Sequence, residues 1–92
     1  MSYADEIAPL RIEIDRLNDE ILDKLRKRVE VALRIAAVKK RHEVPVVDRG
    51  REEAVLDRVG GLAADRELDP EGVRRVFREI IDLCVEAEEK TQ

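Results

Sequence analysis

Ile7, Leu10, Ile14, Leu17, Ile21 and Leu25 recur three and four residues apart near the start of the chain, the spacing of an α-helix with one apolar stripe. The pattern predicts a helix from about Glu6 to Arg41. Pro9 is tolerable there because it falls in the opening turn. His42-Glu43-Val44-Pro45 ends the helix, since the residue before a proline avoids helical geometry. A helix of about 36 residues is about 54 Å long at 1.5 Å per residue. A compact chain of 92 residues has a radius of gyration of about 12 Å, so it is only about 30–35 Å across. The first helix must overhang its own domain, and its apolar seam needs cover from elsewhere. A second copy of the chain is the simplest cover, which predicts an obligate, helix-swapped homodimer.

Two shorter helices complete the chain. Val46 and Val47 cross in an extended link to Asp48, an N-cap for a helix carrying Val55, Leu56, Val59 and Leu62. Gly60-Gly61 leaves open whether its last turn forms. Asp69-Pro70 reads as N-cap and first residue of a third helix running to about Lys90, with Val73, Val76, Phe77, Ile80, Ile81 and Cys84 on its buried face. No strand alternation or repeat occurs, so the expectation is an all-α, three-helix single domain over residues 1–92.

Composition excludes several functions. Charged residues make up 43% of the chain and apolar residues 43%, with both signs interspersed and a net charge of −4, so there is no basic footprint for nucleic acid. No stretch approaches the roughly 20 apolar residues of a membrane span, and no cationic-then-apolar leader opens the sequence. One cysteine and one histidine rule out an internal disulfide and argue against a metal centre. The reading is a soluble, cytoplasmic protein without metal or cofactor.

The informative charges interrupt apolar stripes. Seven residues past Ile21 the seam carries Arg28, and Lys39 follows 11 residues later, three helical turns on and within about 20° of the same face. Ala32 and Ile35 lie between them. Two cations about 16 Å apart, with small and apolar groups between, suit an elongated dianion, although an exposed charged face with snorkelling stems is the plainer reading of each. Arg51 heads a stripe of Val55, Val59 and Leu62, against the helix dipole, and Glu52 heads the neighbouring one. Asp48 and Glu52 are also explained as a cap and a favourable first-turn acid. Phe77, Ile80 and Cys84 lead at helical spacing to Glu88, which either frays into solvent or points into a shared polar pocket. Arg11 lies on the seam's edge about 25 Å from Arg28, too far to share a small ligand. In an antiparallel pair of first helices, Arg11 of one chain approaches the Arg28–Lys39 region of the other.

This ordering resembles the all-helical (AroQ-class) chorismate mutase family over almost the whole chain. The likeness lies in Leu10-Arg11-Ile12-Glu13-Ile14-Asp15, Leu17-Asn18, Arg28, Val38-Lys39, Asp48, Arg51-Glu52, Glu79-Ile80-Ile81, Cys84 and Glu88. It implies an intertwined homodimer whose two active sites each borrow the first-helix arginine of the partner. It also implies a Claisen rearrangement of chorismate to prephenate, a reaction that needs no nucleophile, metal or proton transfer. Catalysis is then restraint of a flexible dicarboxylate plus stabilisation of charge at the breaking ether bond. In that scheme Arg11 and Arg28 bind the two carboxylates, and Lys39 donates to the ether oxygen with Glu88 opposite it. Glu52 accepts from the ring hydroxyl, Asp48 and Arg51 order that side of the pocket, and Cys84 lines it.

Two positions depart from the family's commonest pattern: Glu88 stands where many members carry Gln, and Cys84 where enteric-type members carry Ser. An amide donates a hydrogen bond at any pH, whereas a carboxyl donates only when protonated, so activity is expected to improve in mildly acidic solution. The same scaffold also resembles isochorismate pyruvate lyases and 4-amino-4-deoxychorismate mutases. A non-catalytic helical dimerisation or regulatory module is the reading from another class; it leaves the cations on the seam without a purpose. A nucleic-acid adaptor lacks aromatic platforms, since aromatic residues are only 2% of the chain.

Overall fold

In the computed structural model, which describes residues 1–92, the chain forms three α-helices and no strand: α1 (Tyr3–Arg41), α2 (Arg49–Asp65) and α3 (Pro70–Glu89). Each begins at a side-chain cap. Ser2 Oγ accepts from the Asp5 N–H at 3.2 Å, Asp48 from Arg51 N–H at 3.0 Å, and Asp69 from Gly72 N–H at 3.0 Å, satisfying N–H groups that a helix start leaves free. In α1, Asp5 and Glu6 sit in the first turn and Lys39, Lys40 and Arg41 in the last, both favourable to the dipole. The Ser2 cap starts α1 earlier than the apolar stripe predicts, so Pro9 lies in the second turn rather than the opening one. There it removes one backbone bond without ending the helix.

Both α1 and α2 end in the same hydrogen-bonded turn. Val44 N–H donates to the Lys39 carbonyl at 2.9 Å and Glu43 N–H to that of Lys40 at 3.3 Å; Leu68 and Glu67 repeat this on Ala63 and Ala64 at 2.9 and 3.2 Å. These are Schellman pairings, and they place a left-handed residue just past the helix. That residue is Glu43 (φ 55°) in one and Glu67 (φ 57°) in the other, where glycine avoids the Cβ clash. Glu67→Gly is therefore expected to stabilise the protein by about 0.5–1 kcal/mol, read as a raised urea midpoint at unchanged m-value. A midpoint that stays or falls would show that the left-handed glutamate carries no cost.

The open question at Gly60-Gly61 resolves in favour of the helix, because α2 runs through both to Asp65. Gly60 is buried, and a Cβ on it would lie 2.5 Å from Arg74 Nη2. The missing side chain lets Arg74 of α3 lie across α2.

Helix α3 packs on both α1 and α2, while α1 and α2 make no contact with each other. Ala32 and Ala36 of α1, Ala63 of α2, and Ile81 and Cys84 of α3 are the buried apolar residues. Small side chains on α1 bring its C-terminal half close to α3. Val73, Phe77 and Ile80 are half-buried as their spacing predicts, but Val76 is 57% exposed. It sits one position, about 100°, round from Phe77 and faces away from both neighbours.

The overhang is as expected from length. The molecule measures 62 × 26 × 15 Å with a radius of gyration of 17.3 Å, against about 12 Å for a compact chain of this size. Every residue from 8 to 24 is exposed. Leu10, Ile14, Leu17 and Ile21 leave half their surface uncovered, and only 8 of 92 residues are buried. No helix is long and apolar enough to cross a membrane.

Candidate active site

Because α1 and α2 stand apart on α3, a cleft remains between them. It is a cavity of about 270 Å³, just below the range of drug-sized pockets, which begins at about 300 Å³. One wall is the α1 strip of Arg28, Val31, Ala32, Ile35 and Lys39; the first turn of α2 contributes Asp48, Arg51, Glu52 and Val55. Helix α3 supplies Ile81, Cys84, Val85 and Glu88, and the link supplies Val46. Seven of the eight residues singled out from the sequence thus converge: Arg28, Lys39, Asp48, Arg51, Glu52, Cys84 and Glu88. Arg11 is not among them, since it lies on the exposed overhang.

The cations are held in place. Arg28 Nη1 donates to Cys84 Sγ at 2.9 Å, so the thiol orients the guanidinium as well as lining the wall. Lys39 Nζ donates to the Val46 carbonyl at 2.7 Å, and the Lys39 carbonyl takes the Val44 N–H. The turn after α1 is thus stitched to the residue whose ammonium faces the cavity. Asp48 combines its capping role with a place on the wall.

The two buried carboxylates are treated oppositely. Glu52 Oε1 accepts from Arg78 Nη1 at 2.9 Å and from Arg49 Nη1 at 3.3 Å, and Arg78 also lies 3.7 Å from Asp82. The hydrogen bond to Glu52 makes Arg78 hold its proton more tightly than an ordinary arginine. Glu88 has no such partner, and its buried Oε2 makes no hydrogen bond. Fraying at the chain end is therefore not its state. Burial pushes the Glu88 carboxyl above the usual glutamate range, against the opposing pull of Lys39 and Arg28 and with a small further push from Glu89. With Glu52 compensated from outside and the Glu88 carboxyl pushed up by burial, Arg28, Lys39 and Arg51 outweigh the remaining acid, Asp48, and leave the cavity cationic. An anion of two charges matches it.

Sequence reasoning missed Arg78 and Arg49 as the groups that hold Glu52, and the Val46 carbonyl that holds Lys39. Arg78 precedes Ile81 by three residues on the packed side of α3, a local signal, but nothing in its neighbourhood names a partner 26 residues away.

Residues 10–89 match the family described as Chorismate mutase type II. The chain is 38% identical over 85 residues to the 4-amino-4-deoxychorismate mutase of Streptomyces venezuelae, covering 91% of this chain and 82% of that protein. It is 38% identical over 76 residues to the secreted chorismate mutase of Mycobacterium tuberculosis, covering 77% of this chain and 38% of that one. Against the bifunctional chorismate mutase/prephenate dehydratase of Aquifex aeolicus the identity is 32% over 91 residues, 94% of this chain but 25% of that protein.

Proposed function

The chain belongs to the chorismate mutase type II family, and from that premise we propose that it rearranges chorismate to prephenate in a homodimer with two shared sites. The observation that carries the reading is the convergence of Arg28, Lys39, Asp48, Arg51, Glu52, Cys84 and Glu88 on one small cavity between three helices. The substrate is a dicarboxylate that must fold into a compact conformer before its ether C–O bond breaks and the new C–C bond forms. Arg28 binds one carboxylate and the partner chain's first-helix arginine, equivalent to Arg11, binds the other. Charge-assisted forks of this kind fix orientation as well as affinity. As the ether bond breaks, its oxygen gains negative charge, and the Lys39 ammonium stabilises it. A protonated Glu88 donates to the same oxygen. Glu52 accepts from the ring hydroxyl, with Asp48 and Arg51 ordering that end. The reaction is unimolecular and needs no cofactor.

The dimer is supported by the bare seam of Leu10, Ile14, Leu17 and Ile21 and by the isolation of Arg11 from its own chain's cavity. The cytoplasm as location is supported by the single free cysteine, whose thiol is engaged with Arg28.

Loss of chorismate absorbance with appearance of prephenate, using the purified protein, tests the activity. Lys39→Met is expected to lower kcat about 10²–10³-fold, the usual cost of removing one donor aimed at a developing oxyanion. An unchanged kcat would remove Lys39 from the mechanism. A second reading is favoured by the likeness to the Streptomyces venezuelae protein: a substrate with an amino group in place of the ring hydroxyl. Offering 4-amino-4-deoxychorismate beside chorismate separates the two.

A further inference from the structure

Arg78 lies outside the cavity, on the far side of a carboxylate that faces into it. Glu52 is 7% exposed and lines the cavity, while its Oε1 is taken from behind by Arg78 at 2.9 Å. Arg49, the other donor, is an 81% exposed side chain at 3.3 Å, so solvent screens it and Arg78 is the stronger partner. Asp82 at 3.7 Å is the only other acid within ion-pair distance of Arg78. The result is a carboxylate with one oxygen committed to a guanidinium and little uncompensated charge toward the pocket.

That arrangement discriminates between two substituents of the same size. A neutral hydroxyl needs only one acceptor lone pair, which the second Glu52 oxygen retains. An ammonium needs net negative charge, and it would approach a site that carries Arg28, Lys39 and Arg51, where Asp48 already has one oxygen committed to capping the Arg51 N–H and Arg78 stands behind Glu52. Resting on the functional reading above, we propose that Arg78 is a specificity-determining positioning residue, which acts through Glu52 to select a ring hydroxyl over a ring amino group.

The test compares kcat/KM for chorismate and for 4-amino-4-deoxychorismate in wild type, Arg78→Gln, Arg78→Lys, Glu52→Gln and the double variant Arg78→Gln/Glu52→Gln. Arg78→Gln is expected to move the ratio about tenfold toward the amino substrate, which corresponds to about 1.4 kcal/mol. Arg78→Lys keeps the charge and should keep most of the wild-type ratio. In the Glu52→Gln background the Arg78→Gln shift should vanish, because the effect travels through that carboxylate. If Arg78→Gln lowers both rates by one common factor, or the shift survives without Glu52, Arg78 merely ties α2 to α3 and the proposal is overturned. A wild type that converts neither compound overturns the functional reading, and this inference with it.

Discussion

Arg11→Ala and Arg28→Ala are each expected to lower kcat/KM about 10²–10³-fold, the loss of one charge-assisted fork on a carboxylate. An equimolar mixture of the two, unfolded and refolded together, should recover activity. In a mixed dimer the Arg11→Ala chain retains its own Arg28 and receives Arg11 from the other chain, so one site is whole. The second site lacks both arginines. With random pairing half the dimers are mixed, so about a quarter of all sites are restored. Each variant should remain dimeric by sedimentation, because Arg28 lies on the cavity wall and Arg11 on the seam's edge. A mixture no more active than its components would show that Arg11 serves its own chain or no site at all. That outcome would sink the shared site while leaving the fold untouched.

The second large effect is on pH. Glu88 is pushed above its ordinary range by burial, and a bound dianion adds negative charge that favours the proton further. If the protonated form donates to the ether oxygen, wild-type kcat should rise as pH falls from neutral into the mildly acidic range, by up to about tenfold per unit above the pKa of Glu88 in the complex. Glu88→Gln donates at every pH and should give a flat profile. Stability must move with the same sign. The raised folded pKa means that, between the ordinary glutamate range and the raised value, the folded state holds more protons than the unfolded. Stability therefore falls as pH rises through that window and is fully present below it. Urea midpoints should show this decline in wild type and lose it in Glu88→Gln. A flat wild-type rate profile between mildly acidic and neutral pH would remove the catalytic role of Glu88.

How much of this was legible in the sequence follows from the range of each interaction. The three helices, the caps at Asp48 and Asp69 and the overhang of α1 rest on local chemistry or on length, and all were readable. Pro9 and Gly60-Gly61 were less so, because their fate depends on things outside their own turns. Ser2 begins α1 earlier than the apolar stripe, and Arg74 arrives from α3 to cover Gly60. Arg28, Lys39, Arg51 and Glu88, which line one cavity, were singled out because charges on an apolar stripe conflict with the helical period, and that conflict is visible one helix at a time. Arg78 shares the packed side of α3 with Ile81, but what it holds exists only in the packing of α3 on α2. Val76 shows the reverse case: a residue with the right period for burial on a helix whose contact arc is too narrow to reach it.

The bare N-terminal half of α1 has a thermodynamic consequence. A chain that buries 8 of its 92 residues has little with which to offset the conformational entropy of folding. If the partner chain covers the seam, folding and association become a single equilibrium, and stability is a function of how much protein is present. Dilution would then unfold the chain and empty the active site in the same step, since the helix that completes the core also carries the arginine that completes the pocket. For such an enzyme, specific activity is a property of concentration as much as of sequence.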